Sequence, residues 1–345
     1  MRNVLRAFVV GCIAVVLGAG HALACGGLVA PNGSINLLRT ATLAAYHDGV
    51  EHYVTSFEFA GGGAEFGSIV PLPGIPSAVK HAGNWTLQRL EQEVNPPVLF
   101  DGLQAAGADR AVAQKAVVLL EKSIGALDIT ILKGGGDEVG VWAKENGFRL
   151  PVDAPDVLDF YAERSPIFMA ARFDVKRAAA SKQSVGDGTP IHLVIPTPSP
   201  WVPLRILTLG RQPNEQIEAD VFLLTDERPN LLPVPATKGV VLERSEAASD
   251  LLLSDLRSDR GMKWLPASGM HLSFLKIDTP AKNLAHDLAI DPTGRTIPSY
   301  VAAGLASPTT PDSPVSVPWS TVLVGLAVVL MLVVYAGRSP ARPVL

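Results

Sequence analysis

Two histidines, His47 and His52, flank an Asp-Gly pair and could lie diagonally on one face of a hairpin. Two imidazoles make only half of a zinc site, because zinc usually takes three or four protein ligands. Further histidines are scattered and lack the spacing of a ligand pair: His81, His192, His271 and His286. We therefore predict surface histidines, no metal site and no cofactor.

Catalytic motifs give little support for an enzyme. The G-x-S-x-G pattern of hydrolases does not occur, and the segment around Ser68 lacks the second glycine. Asp156 and Asp159 share a helix face at i and i+3, and two carboxylates in a cleft can perform acid–base chemistry. Acidic residues in a first helical turn also complement the helix dipole. We favour this structural explanation, although distant residues can still assemble a catalytic site.

The first residues have the pattern of a secretory signal, which predicts export. Arg2 and Arg6 precede an apolar run from Ala7 to Gly18, and Ala22-Leu23-Ala24 matches a signal-peptidase site. The apolar run is too short to span a bilayer as a helix. We predict a signal peptide over residues 1–24.

Removal of that signal would leave Cys25 as the first residue and the only thiol of the mature chain. No intramolecular disulfide is then possible, which is unusual for an exported protein. Three interpretations remain open for Cys25. It could carry a lipid, it could act as a thiol that reacts or pairs with another protein, or it could be a small buried residue beside Gly26.

The C-terminal segment predicts a membrane anchor. Residues 319–337 contain no charge and would span roughly 28 Å as a helix, enough for one crossing. The basic residues Arg338 and Arg342 place the tail, 338–345, in the cytoplasm. Residues 302–318 are rich in Pro, Ser and Thr, and we predict an extended stalk there.

Between these segments, residues 25–301 are long enough for one large or two small domains. The net charge is −4, and no long basic run occurs. The electrostatic signature of a nucleic-acid-binding protein is therefore missing, and we expect no nucleic-acid partner. A polar segment, residues 176–188, is the best candidate for a boundary within the domain.

Trp201 is our candidate for a binding residue. It lies among Pro196, Pro198, Pro200 and Pro203, which would stiffen the surrounding loop. A tryptophan on such a loop could hold a ligand or partner. It could equally cover the hydrophobic core, and the sequence does not separate these alternatives.

Short strands and single helices predict an α+β fold with a mainly antiparallel sheet. Asp48-Gly49 and Gly125 each favour a hairpin turn. Asn84 can cap a helix through Val94. Further predicted helices are Asp137–Glu145, Asp153–Ala162, Ser245–Arg257 and, more weakly, Lys282–Leu288; further predicted strands are Phe66–Pro71, Phe168–Val175, Ile191–Ile195, Ala219–Leu224 and Met270–Ile277.

The chain resembles a bacterial family, the domain-of-unknown-function family 2330. The resemblance rests on Val117–Lys122, Gly125, Asp128–Leu132, Trp142, Glu145–Pro151, Tyr161 and Phe168–Arg172, and on Cys25-Gly26-Gly27 after the signal. It covers about Cys25 to Leu288, and its most specific part is the Asn-Gly block between two helices. The resemblance implies an exported bacterial protein without an assigned activity.

These features favour a membrane-anchored, extracytoplasmic binding or scaffolding module of the bacterial envelope. Its expected partners are the membrane, through the C-terminal helix, and an envelope protein or wall ligand. The alternative is an extracytoplasmic enzyme, hydrolytic or thiol-based, whose site is formed by residues distant in sequence. A pocket that gathers Cys25 or a histidine with carboxylates would favour the enzyme.

Overall fold

A computed structural model describes residues 27–29, 40–56, 67–83, 85–95, 117–180 and 189–308. The described residues form an α+β fold of mainly antiparallel sheet, as predicted. The strands are β1 (Gly27–Val29), β2 (Thr40–His47), β3 (Val50–Thr55), β4 (Gly67–Pro71), β5 (Ala78–His81), β6 (Val117–Ile124), β7 (Leu127–Lys133), β8 (Ile167–Phe173), β9 (Ile191–Pro196), β10 (Trp201–Val202), β11 (Gln216–Thr225), β12 (Asn230–Leu232), β13 (Val240–Ala247), β14 (His271–Pro280) and β15 (Leu288–Asp291). The α-helices are α1 (Thr86–Val94), α2 (Gly136–Glu145), α3 (Ala154–Ala162), α4 (Val175–Ala180) and α5 (Asp250–Ser258).

The largest sheet has the order β13-β14-β11-β2-β3-β9-β5. Its strands pair antiparallel except β2 and β11, which are parallel. The predicted hairpin joins β2 to β3, with Asp48 and Gly49 at positive φ (49° and 78°). Two consecutive residues at positive φ make the type I′ turn that suits the twist of paired strands.

A second sheet has the order β1-β4-β8-β7-β6, and a small third sheet has the order β10-β15-β12. The predicted β6–β7 hairpin is confirmed, with Gly125 at φ 55°. Apolar side chains of both large sheets meet in one core cluster, which includes Tyr53, Leu193, Ile129 and Met169. The two large sheets therefore pack face to face.

Helices cover the outer faces of both large sheets. Leu90 of α1 and Leu253 of α5 pack on Phe222 of the seven-stranded sheet. Trp142 of α2 and Leu158 of α3 belong to a separate cluster that lies on the five-stranded sheet. The order of layers is helix, sheet, sheet, helix, and the edge strand β6 of the five-stranded sheet stays largely exposed.

The backbone N–H groups at the start of α1 bind the side chain of a residue far away in sequence. The Asp259 carboxylate accepts the Thr86 N–H at 2.8 Å and the Thr86 hydroxyl at 2.6 Å. The Trp85 N–H reaches the same oxygen at 3.3 Å. The predicted cap, Asn84, lies outside the described residues.

Three predicted segments differ in the structure. Residues 245–247 extend β13, so the helix predicted from Ser245 begins at Asp250, where the Ser249 side chain caps it. Most of Lys282–Leu288 is not helical, because only Ala281–Asn283 form a short 3₁₀ turn before β15. The polar segment from Lys176 starts inside a helix, α4.

The chain divides into two compact units, Met1–Ser307 and Pro308–Leu345. The first therefore includes the start of the predicted stalk, where Ala303 is buried. No helix within the described residues is long and apolar enough to cross a bilayer. The predicted signal peptide and the anchor at 319–337 lie outside those residues.

Candidate functional site

The segment from α2 to α3 forms a rigid corner on the five-stranded sheet. The Gly135 N–H donates to the Glu138 carboxylate at 2.7 Å, which closes the first turn of α2. Gly147, at φ 83°, ends the helix, and the Phe148 N–H returns to the Ala143 carbonyl at 2.9 Å. Glycine is favoured at such a left-handed position because it has no Cβ. The predicted helices and the turn between them are confirmed.

Phe148 anchors this turn to the sheet. A Cβ placed on Gly67 of β4 would lie 2.6 Å from the Phe148 ring, so the ring packs directly on the backbone of the strand. The buried faces of the two helices add Trp142 and Tyr161 to the same cluster. This burial positions the corner and leaves the other faces of both helices open to solvent.

A solvent-open cleft of about 620 Å³ lies between α2, the turn and the start of α3. Its lining consists of Gly136, Asp137, Gly140, Val141, Lys144, Gly147, Phe148, Arg149, Leu150, Pro151, Val152, Ala154, Pro155 and Leu158. Val152 is fully exposed and Val141 is 47 % exposed, although both are apolar. Volumes of about 300–1,000 Å³ are usual for small-molecule sites. The cleft is therefore large enough for a ligand.

Charged side chains of the lining are separated along the α2 wall. Asp137, Val141 and Lys144 recur at helical spacing on one face, with Asp137 in the first turn and Lys144 in the last. Seven residues at 1.5 Å rise separate their backbones by about 10 Å. Arg149 follows the turn and adds a second cation to the lining. Lys144 and Arg149 are both exposed, and within the described residues neither forms an ion pair.

Outside the cleft, Glu51 is a carboxyl group buried inside the fold. It lies on β3 between Tyr46 of β2 and Ile195 of β9. Neither oxygen has a hydrogen-bond partner of ordinary geometry within the described residues. Burial raises the pKa of Glu51 to about 8, while the backbone of Trp201 lowers it to a smaller extent. Glu51 is therefore neutral at pH 7.

His52 and His192 meet on the helix-covered face of the same sheet. His52 Nδ1 lies 2.9 Å from His192 Nε2, and the Trp264 ring stacks on His52 with 3.4 Å between ring centres. Burial, then His192, Lys80 and His47, lower the pKa of His52 to about 3. Burial and Lys80 lower the pKa of His192 to about 4. Both imidazoles are neutral at pH 7. The prediction of surface histidines is wrong for these two and for His286, which is also buried.

Trp201 lies in the core, with only 4 % of its surface exposed. Its ring stacks on Tyr161 at 5.8 Å between ring centres. Beneath this pair the buried Asp287 accepts bonds from the Tyr161 hydroxyl and the Arg164 guanidinium, both at 2.7 Å. Trp201 therefore packs in the core and does not lie on an exposed binding loop. Its ring is not available to a partner in this conformation.

Two further candidates remain from the sequence, Cys25 and His47. Cys25 lies outside the described residues. His47 is half-buried and pairs with Asp226 at 2.7 Å rather than with His52. Within the described residues, no group of three or more His, Cys, Asp or Glu side chains could hold a metal ion.

The S-x-x-K spacing of some serine hydrolases occurs as Ser273–Lys276, within β14, and as Ser77–Lys80. On β14 the serine and the lysine point to opposite faces. The Ser77–Lys80 segment runs into β5, where residues three apart point to opposite faces. The Ser77 hydroxyl donates to the Val194 carbonyl at 3.1 Å. The strand therefore separates the serine from the lysine that would have to activate it.

The described residues form an α+β domain of the helix–sheet–sheet–helix type that carries an open cleft between α2 and α3. The chain belongs to a family described as "Uncharacterized protein conserved in bacteria (DUF2330)", whose model matches residues 19–232. That range contains α2, the turn and α3, the block that carried the resemblance. Among curated proteins, none matches this chain.

Two solved structures show a partial similarity. A mutated baculovirus P35 after caspase cleavage has a TM-score of 0.38 and 8 % identity, over 73 % of this chain and 99 % of that one. Baculovirus P35 itself has a TM-score of 0.38 and 9 % identity, over 75 % and 97 % of the two chains. Neither similarity supports an inference about what this chain does.

Proposed function

We propose that the chain is a membrane-anchored extracytoplasmic module of the bacterial envelope that binds its partner in the α2–α3 cleft. The cleft is the observation that carries the proposal. Its walls expose apolar side chains on a corner that Phe148 fixes to the five-stranded sheet. Exposed apolar clefts on a stable scaffold are typical of binding sites.

Anchoring and export rest on the sequence. The apolar segment 319–337 and the basic residues behind it support a single C-terminal span, and residues 1–24 support export. Protease added to spheroplasts should then degrade the domain and leave a C-terminal tag protected. Protection of both the domain and the tag would place the domain in the cytoplasm and contradict the proposal.

Binding is favoured over catalysis by the composition of the cleft. Its lining contains one carboxyl group, Asp137, with two cations and no histidine. Three groups with strongly shifted pKa values, Glu51 and the His52–His192 pair, are buried elsewhere. An envelope protein or a wall ligand is the expected class of partner.

Site-specific photocrosslinking tests the assignment of the cleft. A photoreactive amino acid replaces Val152 in the full chain, in growing cells of its host. Ile297 is the matched control, because it is also exposed and apolar but does not line the cleft. A crosslinked product at 152 and none at 297 is expected. Equal capture at both positions would contradict the assignment of the cleft, and no capture at 152 would exclude a protein as its occupant.

A further inference from the structure

The chemistry of the lining narrows the class of ligand. Only three of its side chains are charged or polar, namely Asp137, Lys144 and Arg149. The rest are glycine or apolar residues. A bound peptide would bring a polar amide into the cleft at every residue, and amides that face the apolar side chains of the walls would lose water without gaining a partner. A hydrocarbon chain needs no such partners.

The charges are distributed unevenly along the cleft. Lys144 lies about 10 Å from Asp137 along the helix axis, at seven residues of 1.5 Å each. Arg149 follows the turn at which α2 ends, so two cations belong to the C-terminal end of α2 and one carboxylate to its N-terminal end. Lys144 also complements the negative end of the α2 dipole, whereas Arg149 lies beyond the helix. An anion would be attracted to the cationic end.

We propose that the cleft binds an anionic amphiphile, with its carboxylate at Lys144 and Arg149 and its hydrocarbon chain along Val141, Leu150 and Val152. This inference rests on the proposed function, because it names the ligand class of the same cleft. The apolar walls supply most of the affinity through burial. The two cations select an anionic head over a neutral one.

A photoreactive decanoate tests this assignment on the full chain, reconstituted in nanodiscs of zwitterionic lipid. The reagent carries a diazirine at the end of its chain, and labelled peptides are identified by mass spectrometry. Labelling is expected within residues 136–158. Unlabelled decanoate should compete about three- to tenfold better than decanol, as expected for two exposed charges of modest strength. Added salt should reduce this preference, because it screens exposed charges.

Three variants separate charge from apolar burial. Lys144→Gln combined with Arg149→Gln should remove the preference for decanoate and leave competition by decanol within about twofold. Val152→Ser should weaken the binding of both decanoate and decanol. Val152 is fully exposed, so this change removes no contact of the core. Asp137→Asn is the matched control, and it should leave decanoate binding equal or tighter. Thermal unfolding of each variant shows whether the fold is intact.

The outcomes distinguish this inference from the proposed function. Equal competition by decanoate, decanol and decylammonium, or labelling outside residues 136–158, would refute an anionic amphiphile. If Val152 captures a protein in cells while decanoate does not label the cleft, the occupant is a polypeptide and only this inference is wrong. If neither reagent reports the cleft, both proposals are wrong.

Discussion

Replacement of Glu51 by Gln should abolish one specific component of the pH dependence of stability. Glu51 is fully buried on β3, and its pKa rises from 4.5 to about 8 because burial disfavours the carboxylate. Between these two values the unfolded chain releases the proton that the folded chain retains. The free energy of unfolding therefore falls as pH rises through this window.

The magnitude follows from the width of the window. One proton corresponds to about 1.4 kcal/mol per pH unit. From pH 5 to pH 8 the wild type should lose about 4 kcal/mol relative to Glu51→Gln, whose amide does not titrate. Any constant effect of burying the amide cancels, because only the change of the difference with pH is compared.

The measurement is urea unfolding at fixed pH values from 5 to 9, followed by tryptophan fluorescence. Glu246→Gln is the matched control, since Glu246 is an exposed glutamate on β13. The free energy of unfolding of Glu51→Gln minus that of the wild type should rise steadily to pH 8 and then level off. The control should stay parallel to wild type.

A change of less than about 1 kcal/mol in that difference between pH 5 and pH 8 would refute the reasoning, because it corresponds to less than one pKa unit. Glu51 would then ionise close to its ordinary range in the folded chain. A change of the expected size in the Glu246 control as well would show that the effect does not depend on burial.

Three further predictions concern the other buried groups. His192→Gln should make the free energy of unfolding less dependent on pH between pH 6.5 and pH 4. In this range the unfolded wild type binds a proton on His192 that the folded chain does not bind, which lowers its stability by about 1.4 kcal/mol per pH unit. An unchanged slope in urea unfolding would contradict this. Asp287→Asn should lower the free energy of unfolding by about 3–5 kcal/mol, because it leaves the buried Arg164 guanidinium without its carboxylate; calorimetry that shows less than about 1 kcal/mol would refute a buried ion pair. Ser249→Ala should lower stability by about 1 kcal/mol, because the hydroxyl oxygen accepts the Leu252 N–H at 3.1 Å; unchanged hydrogen exchange in α5 would speak against this cap.

Local chemistry allowed several elements to be predicted from sequence. Asp48-Gly49 adopts the two positive φ values of a tight hairpin, and Gly147 adopts the positive φ that ends α2. These conformations depend on sterics within a few residues. The α2–turn–α3 corner could therefore be predicted, but the cleft on its outer side could not, because its shape depends on how Phe148 packs on Gly67.

Burial and long-range pairing could not be predicted from the local sequence. His52 and His192 are 140 residues apart and meet only because β3 pairs with β9. Asp259 satisfies the start of α1 from 173 residues away. Nothing in the local sequence distinguishes these buried polar side chains from exposed ones.

The sequence by itself was sufficient to predict the family and the turns that set the hairpins and the helical corner. The export and anchor segments stay predictions. Only the tertiary structure decided that Trp201 lies in the core, that Glu51 is neutral, and that apolar walls and two cations line one cleft. The physical reason is the range of the interactions. Turn conformation is a property of a few adjacent residues, whereas burial and pKa depend on every element packed around a side chain.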